Sequence, residues 1–495
     1  MRCSFPTLLA ALALTFAAGV SAQTDPASLE LPDLGEPADL TISPAQEAKL
    51  RGQVAAELYS GDYLVDDVEV SDYIKSVGWK LAAKGSAHPP DFTFFVIGDP
   101  RINAFAVPGG LVGINAGLIL AADNESELAG VLGHEEAHVT QRHLARTAND
   151  TQAATIATWA VALAAVIAGS ANPDLILGAL AVGQGINQQR EVNYTRAHEQ
   201  EADRIGITTM AQAGYDPEAM ATFFSKLEVQ GRLYGAGVPE ILRTHPVNTS
   251  RISEARSRAE KLPKVKLKDS PDFGFIKART AVFMADRANE ALELFASRLK
   301  AGDRAPANIY GYAFALDRVG RSAEALAALA PLLPSYPKQI NVNILQAQLL
   351  IATGKGEEGR ALLGKMLALY PRSAPVMIAD ARALLDAGQP EAARNVLLSR
   401  DPAFGNWVEL HKLLADAARV QGNIAETQFQ TASYADGRGD LREAITQLQA
   451  GLRLSSLSNQ DRNRLQAYRD DIVRRIPRAD LAEFERQDRR LLTIN

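Results

Sequence analysis

Four glycines, Gly320, Gly354, Gly388 and Gly422, stand 34 residues apart, and an alanine precedes each by seven residues: Ala313, Ala347, Ala381 and Ala415. Small side chains at a fixed interval let helix axes approach closely, and glycine ends a helix because it accepts positive φ. An interval of this length fits one pair of helices per unit. Such a unit cannot bury its apolar face alone, so the units must stack. Ala325 and Ala393 follow the first and third glycines by five residues, Gly359 the second, and Pro337 and Pro371 come seventeen after the first two. Ala432, Gly439 and Ala444 repeat the spacing seventeen residues out of phase, so the last units are either degenerate or shifted by one helix. No strand pattern remains after about Lys264.

This pattern resembles the tetratricopeptide repeat, which implies a solenoid presenting a surface for peptides or proteins. The other half reads differently. Residues 45–84 are helical in pattern, and Phe92–Ile97 is a β-branched and aromatic run that predicts a strand. Pro108-Gly109-Gly110 separates Asn103–Val107 from Leu111–Asn115, the signature of a hairpin. Glu125 to Arg146 reads as one helix with Asn124 as its N-cap, and residues 191–214 and 216–231 are helical again. The expected architecture is α+β: a mainly helical domain with a small β-sheet over residues 23–264, followed by an all-α repeat solenoid over 265–495.

Residues 1–22 read as a secretory signal peptide: Arg2, an apolar run from Leu8 to Ala18, and the small side chains of Val20-Ser21-Ala22. The apolar core is too short to span a bilayer comfortably. An exported chain whose one cysteine, Cys3, leaves with that peptide fits a bacterial periplasm and excludes a cysteine zinc site, a disulfide or a catalytic thiol in the folded body. With 52 Lys and Arg against 58 Asp and Glu, the net charge of −6 argues against nucleic acid as a partner. Residues 151–189 are almost uncharged, in two apolar stretches split by Asn172-Pro173-Asp174. They predict a short helical hairpin that either touches a membrane peripherally or packs on the protein itself.

His134-Glu135-Glu136-Ala137-His138 carries the chemistry. Residues at i and i+4 share a helix face, so two imidazoles there can reach one Zn²⁺. Glu135 stands beside that metal as general base towards zinc-activated water. A catalytic zinc needs a third protein ligand. In His198-Glu199-Gln200-Glu201-Ala202-Asp203, Glu199 and Asp203 share a face, which favours Glu199 as ligand with Asp203 orienting a ligand histidine. Glu201, pointing towards solvent, is the rival. His143 packs or pairs near the site rather than binding metal.

His134–His138, Glu199–Asp203 and Asn103–Gly110 resemble the membrane-associated zinc peptidases related to HtpX and the CAAX prenyl protease. Together with the signal peptide, the repeats and Thr244-His245-Pro246, the chain resembles the BepA-type periplasmic β-barrel assembly-enhancing proteases over nearly its whole length. The resemblance implies one zinc per chain, held by His134, His138 and Glu199. It also implies an endopeptidase acting on misassembled or stalled outer-membrane β-barrel proteins, with a chaperone-like role at the barrel assembly machinery. It places His245 on a loop near the metal, either filling the open position and keeping the enzyme latent or stabilising the oxyanion. Asn103, Ala104, Phe105 and Ala106 then border the cleft as a strand to which substrate adds, unless that strand is internal. Well-known relatives carry a cysteine pair in the repeats and this chain has none, which puts redox regulation in doubt. A chaperone or scaffold with a silent or blocked zinc site is the competing reading.

Overall fold

The computed structural model describes residues 43–86, 89–150, 188–234, 239, 241–265, 270–399 and 408–476. Residues 1–22, read above as a signal peptide, residues 23–42 and nearly all of the 151–189 segment lie outside these. Helix α1 (Pro44–Ser60) opens on a capping box between Ser43 and Gln46 and buries Leu50, Val54 and Leu58 along one stripe. Helix α2 (Val68–Gly85) follows, N-capped by Asp67. Strands β1 (Thr93–Ile97), β2 (Ala104–Val107) and β3 (Leu111–Asn115) form a sheet in the order β1-β3-β2. β1 pairs parallel with β3, and β2 pairs antiparallel with it. The expected hairpin turn is there, with Gly109 and Gly110 at φ +87° and +93°. A side chain at Gly109 would also run into the Glu47 carbonyl of α1.

A short α3 (Ala116–Ala121) leads into α4 (Glu125–Thr140), whose N-cap Asn124 accepts from the Glu127 amide at 2.9 Å. α4 is buried from Ser126 to Ala137, so it runs through the middle of this half. Its end corrects the sequence reading. The helix stops at Thr140, Arg142 takes φ +50°, and a separate α5 (His143–Asp150) begins. α6 (Gln188–Gln212) crosses α4 where Gly133 meets Gly206: a β-carbon on Gly206 would lie 3.1 Å from the Gly133 carbonyl carbon. Helices α7 (Glu218–Tyr234), α8 (Ile241–Thr244) and α9 (Thr249–Ala259) complete the layer.

The remaining described residues are helical: α10 (Pro271–Phe283), α11 (Ala288–Lys300), α12 (Pro306–Arg318), α13 (Ser322–Leu329), α14 (Ile340–Ala352), α15 (Gly356–Leu369), α16 (Ala374–Asp386), α17 (Pro390–Leu398), α18 (Val408–Val420), α19 (Ile424–Gly437), α20 (Leu441–Leu452) and α21 (Asn459–Arg475). Gly320, Gly354, Gly388 and Gly422 all have positive φ between paired helices, and Ala313, Ala347, Ala381 and Ala415 are all buried. Gly439 plays the same part between α19 and α20, so the last unit is shifted by one helix.

The two halves share α10. Phe273 and Ile276 join the core of the sheet-containing half, while Phe275, Ala278 and Val282 join the first solenoid core. From the same helix, Arg279 binds both oxygens of Asp67 at 2.8 and 2.7 Å and lies 3.0 Å from Glu69. Asn341 also donates to Glu69, at 2.6 Å. Among the described residues no helix is long and apolar enough to cross a membrane.

Candidate metal centre

α4 presents His134 and His138 from one face, with Nε2 atoms 3.1 Å apart. The close glycine crossing brings Glu199 of α6 against them. Its Oε2 lies 3.4 Å from His134 Nε2 and its Oε1 3.3 Å from His138 Nε2. His245, just past α8, adds its Nδ1 at 3.4 Å from His134 Nε2 and 3.0 Å from Glu199 Oε1. These four donors lie within 4.8 Å of one another. Ligands about 2.0–2.1 Å from a tetrahedral zinc stand roughly 3.3 Å apart, so the spacing fits that ion. The donor set of imidazoles and one carboxylate fits it chemically as well.

The surroundings orient these donors. Asp203 Oδ1 lies 3.0 Å from His134 Nδ1, which turns Nε2 towards the centre. Arg251 of α9 is buried: it grips both Asp203 oxygens at 2.7 Å, reaches Glu199 Oε2 at 2.8 Å and donates to the Pro246 carbonyl at 2.8 Å. The same guanidinium therefore ties the His245 loop to the α6 carboxylates. Burial disfavours charge on both carboxylates. Even so, His245, His134 and His138 hold Glu199 well below the usual carboxylate range, and Arg251 and His134 hold Asp203 below it. Burial pushes His138 down to about 4.

Glu135 is buried beside the centre, and its Oε1 has no hydrogen-bond partner among the described residues; His245 Nε2 stands 3.5 Å away. Glu201 is half-buried and paired rather than turned freely to solvent as the sequence reading had it. It meets His143 Nε2 at 3.2 Å and Arg146 at 3.1 Å. β2 is an edge strand among the described residues and packs on α4. Asn103 and Ala104 are buried there, while Phe105 and Ala106 are half-buried. The Gly133–Gly206 crossing went unread in the sequence. Its signal was present: Gly206 follows Asp203 by three residues and Glu199 by seven, on the same helix face.

Residues 69–259 match the family described as Peptidase family M48, and residues 350–417 match a tetratricopeptide repeat. The Beta-barrel assembly-enhancing protease of Escherichia coli (strain K12) is 38% identical over 309 residues, 62% of this chain and 63% of that protein. The protein of the same name from Yersinia pestis is 37% identical over 339 residues, 68% of this chain and 70% of that one. The Mitochondrial metalloendopeptidase OMA1 of Arabidopsis thaliana is 30% identical over 192 residues, 38% of this chain and 36% of that one. The fold and the site define a metallopeptidase-type domain joined to tetratricopeptide repeats. Within that class, the chain belongs to the family of beta-barrel assembly-enhancing proteases.

Proposed function

We propose that the chain is a zinc-dependent endopeptidase of the periplasm that degrades misassembled or stalled outer-membrane β-barrel proteins and assists their assembly. The convergence of His134, His138 and Glu199 beside the buried carboxylate of Glu135 carries this reading. The names of the relatives support the substrate class. One zinc per chain, when bound, supplies Lewis acidity and lowers the pKa of water to about 7. Glu135 takes up the proton at its Oε1 and returns it to the leaving amine. Asp203 and Arg251 keep His134 and Glu199 aimed. An unassembled barrel strand adds to the edge of β2 that carries no strand among the described residues, bound by main-chain hydrogen bonds along Asn103–Ala106 with little demand on sequence. Export by the 1–22 signal peptide, docking at the barrel assembly machinery through the repeats and peripheral membrane contact through 151–189 belong to the same proposal.

His245 supports a second reading. As a fourth protein ligand it closes the centre, and closed zinc sites are structural whereas catalytic ones keep an open position. Either the enzyme is latent until the loop moves, or the chain is a chaperone or scaffold with a blocked site. The test is cleavage of an unfolded outer-membrane barrel protein by zinc-loaded wild type, Glu135→Gln and His245→Ala. Cleavage by wild type or His245→Ala that Glu135→Gln abolishes supports the peptidase. Activity confined to His245→Ala adds latency. Silence from all three, with zinc and substrate bound, favours the chaperone.

A further inference from the structure

The two ligand histidines are held from behind in different ways. His134 meets a carboxylate directly, through Asp203. His138 turns its Nδ1 to the Nδ1 of a second imidazole, His143, at 2.9 Å. The far nitrogen of His143 lies 3.2 Å from Glu201 Oε2, and Arg146 donates to that same oxygen at 3.1 Å. His198 stacks flat on His143, with ring centroids 4.2 Å apart and planes 9° apart. His143 is itself buried, so its ring is held by His198 on one face and at both of its nitrogens rather than free to turn.

The backbone is bent to make this contact. In an unbroken helix His143 would stand about 140° round the axis from His138, because each residue advances about 100°. The break after Thr140 brings the two rings together instead. It requires Arg142 at φ +50°, a left-handed conformation that residues with a β-carbon rarely adopt. Glu47 of α1 holds it there, accepting from Arg142 Nε at 3.1 Å and Nη2 at 2.9 Å. An uncommon backbone state fixed from a distant helix beside a metal centre points to a function for the side chain it delivers.

The proton order follows from the contacts. His138 Nε2 faces the centre and must present a lone pair to a metal, so the His138 proton sits on Nδ1. His143 Nδ1 then accepts that proton's hydrogen bond, and His143 carries its own proton on Nε2, donating to Glu201. We propose that His143, delivered by the Arg142 break and anchored by Glu201, is the positioning residue that fixes the ring and tautomer of His138 for zinc. This rests on the reading of His134, His138 and Glu199 as a zinc site.

The test is the zinc affinity of the full chain, by competition with a chromophoric chelator, for wild type, His143→Gln, His143→Leu and Glu201→Ala. A glutamine amide can accept from His138 and donate to Glu201, and leucine can do neither. Loss of an outer-shell partner costs about 10–100-fold in metal affinity, so His143→Leu should fall in that range and His143→Gln should stay near wild type. Wild-type affinity in His143→Leu overturns the proposal. So does an equal loss in both His143 variants, which would make the effect one of packing. Metal-free thermal unfolding checks that the leucine variant folds. If it does not, the partly exposed Glu201→Ala decides, with a several-fold loss expected and an unchanged affinity overturning the idea. Nitrogen-15 spectra of zinc-loaded, histidine-labelled protein should put the protons on His138 Nδ1 and His143 Nε2, and the reverse order overturns it. Wild type that binds no zinc defeats the site reading as well, whereas wild type that binds while the variants are indifferent defeats the positioning role alone.

Discussion

Charge at the centre is set residue by residue, and it makes the metal-free protein sensitive to pH from both sides. Burial pushes His138, His143 and His198 each down to about 4. Burial also works against the charge on His134, but hydrogen bonds to Asp203 and Glu199 prevail and lift it to about 10. A histidine lowered by folding refuses a proton that the unfolded chain accepts, so its stability contribution is lost as pH falls from about 6.5 towards 4. Glu199 and Asp203, both held low, add to the loss on the acid side. His134 has the opposite sign: its contribution is complete below about 6.5 and is lost as pH rises through about 10. Burial raises Glu69 to about 7 and Asp72 to about 6, and these work the other way over the same range, so the test is a difference. The denaturant midpoint of metal-stripped wild type, relative to a variant with His138, His143 and His198 all replaced by leucine, should rise between pH 4 and 6.5. A difference that stays level there would contradict this account of the three lowered imidazoles.

At the scale of elements, the crossing of α4 and α6 decides whether four side chains can meet. Gly206→Ala places a β-carbon 3.0–3.1 Å from Met220, Gly133 and the His134 amide, closer than these helices can accept without moving apart. Overpacking of this kind costs about 1–3 kcal/mol, which denaturation would measure. Zinc affinity should fall with it, because Glu199 and Asp203 ride on the displaced helix. Much at this scale was legible. The i,i+4 histidines, the i,i+4 pair on the second helix, the hairpin at Pro108-Gly109-Gly110 and the glycine period each follow from local rules. The end of α4 was not legible. Gln141 and Arg142 are good helix formers, and nothing in Thr140–Arg146 breaks a helix. The break is imposed by Glu47, 95 residues earlier in the chain, which no local pattern reports. Glu201 was misread for the same reason: its partners His143 and Arg146 reach it only because the helix turns.

Across the whole molecule, the peptidase half and the solenoid are fastened by a buried ionic cluster. Arg279 is enclosed among Asp67, Glu69, the Tyr310 hydroxyl at 3.0 Å and the Phe314 ring, 4.3 Å from its guanidinium carbon. Removing one partner of a buried pair leaves an uncompensated charge and costs about 3–5 kcal/mol. Arg279→Met should lose that much, and scanning calorimetry should show one unfolding transition in wild type separating into two. A single transition at the wild-type temperature would mean that the cluster does not couple the halves. No sequence pattern joins Asp67 to Arg279, which are 212 residues apart, so this contact could only be seen folded. It also sets an order of events. Synthesis starts at the amino end, and Asp67 and Glu69 exist long before the arginine that neutralises them. Phe273 and Ile276, which fill the peptidase-half core, arrive on that same late helix. A chain halted before α10 holds His134, Glu135, His138 and Glu199 on an unfinished scaffold, so the blade is set only once its handle has been made.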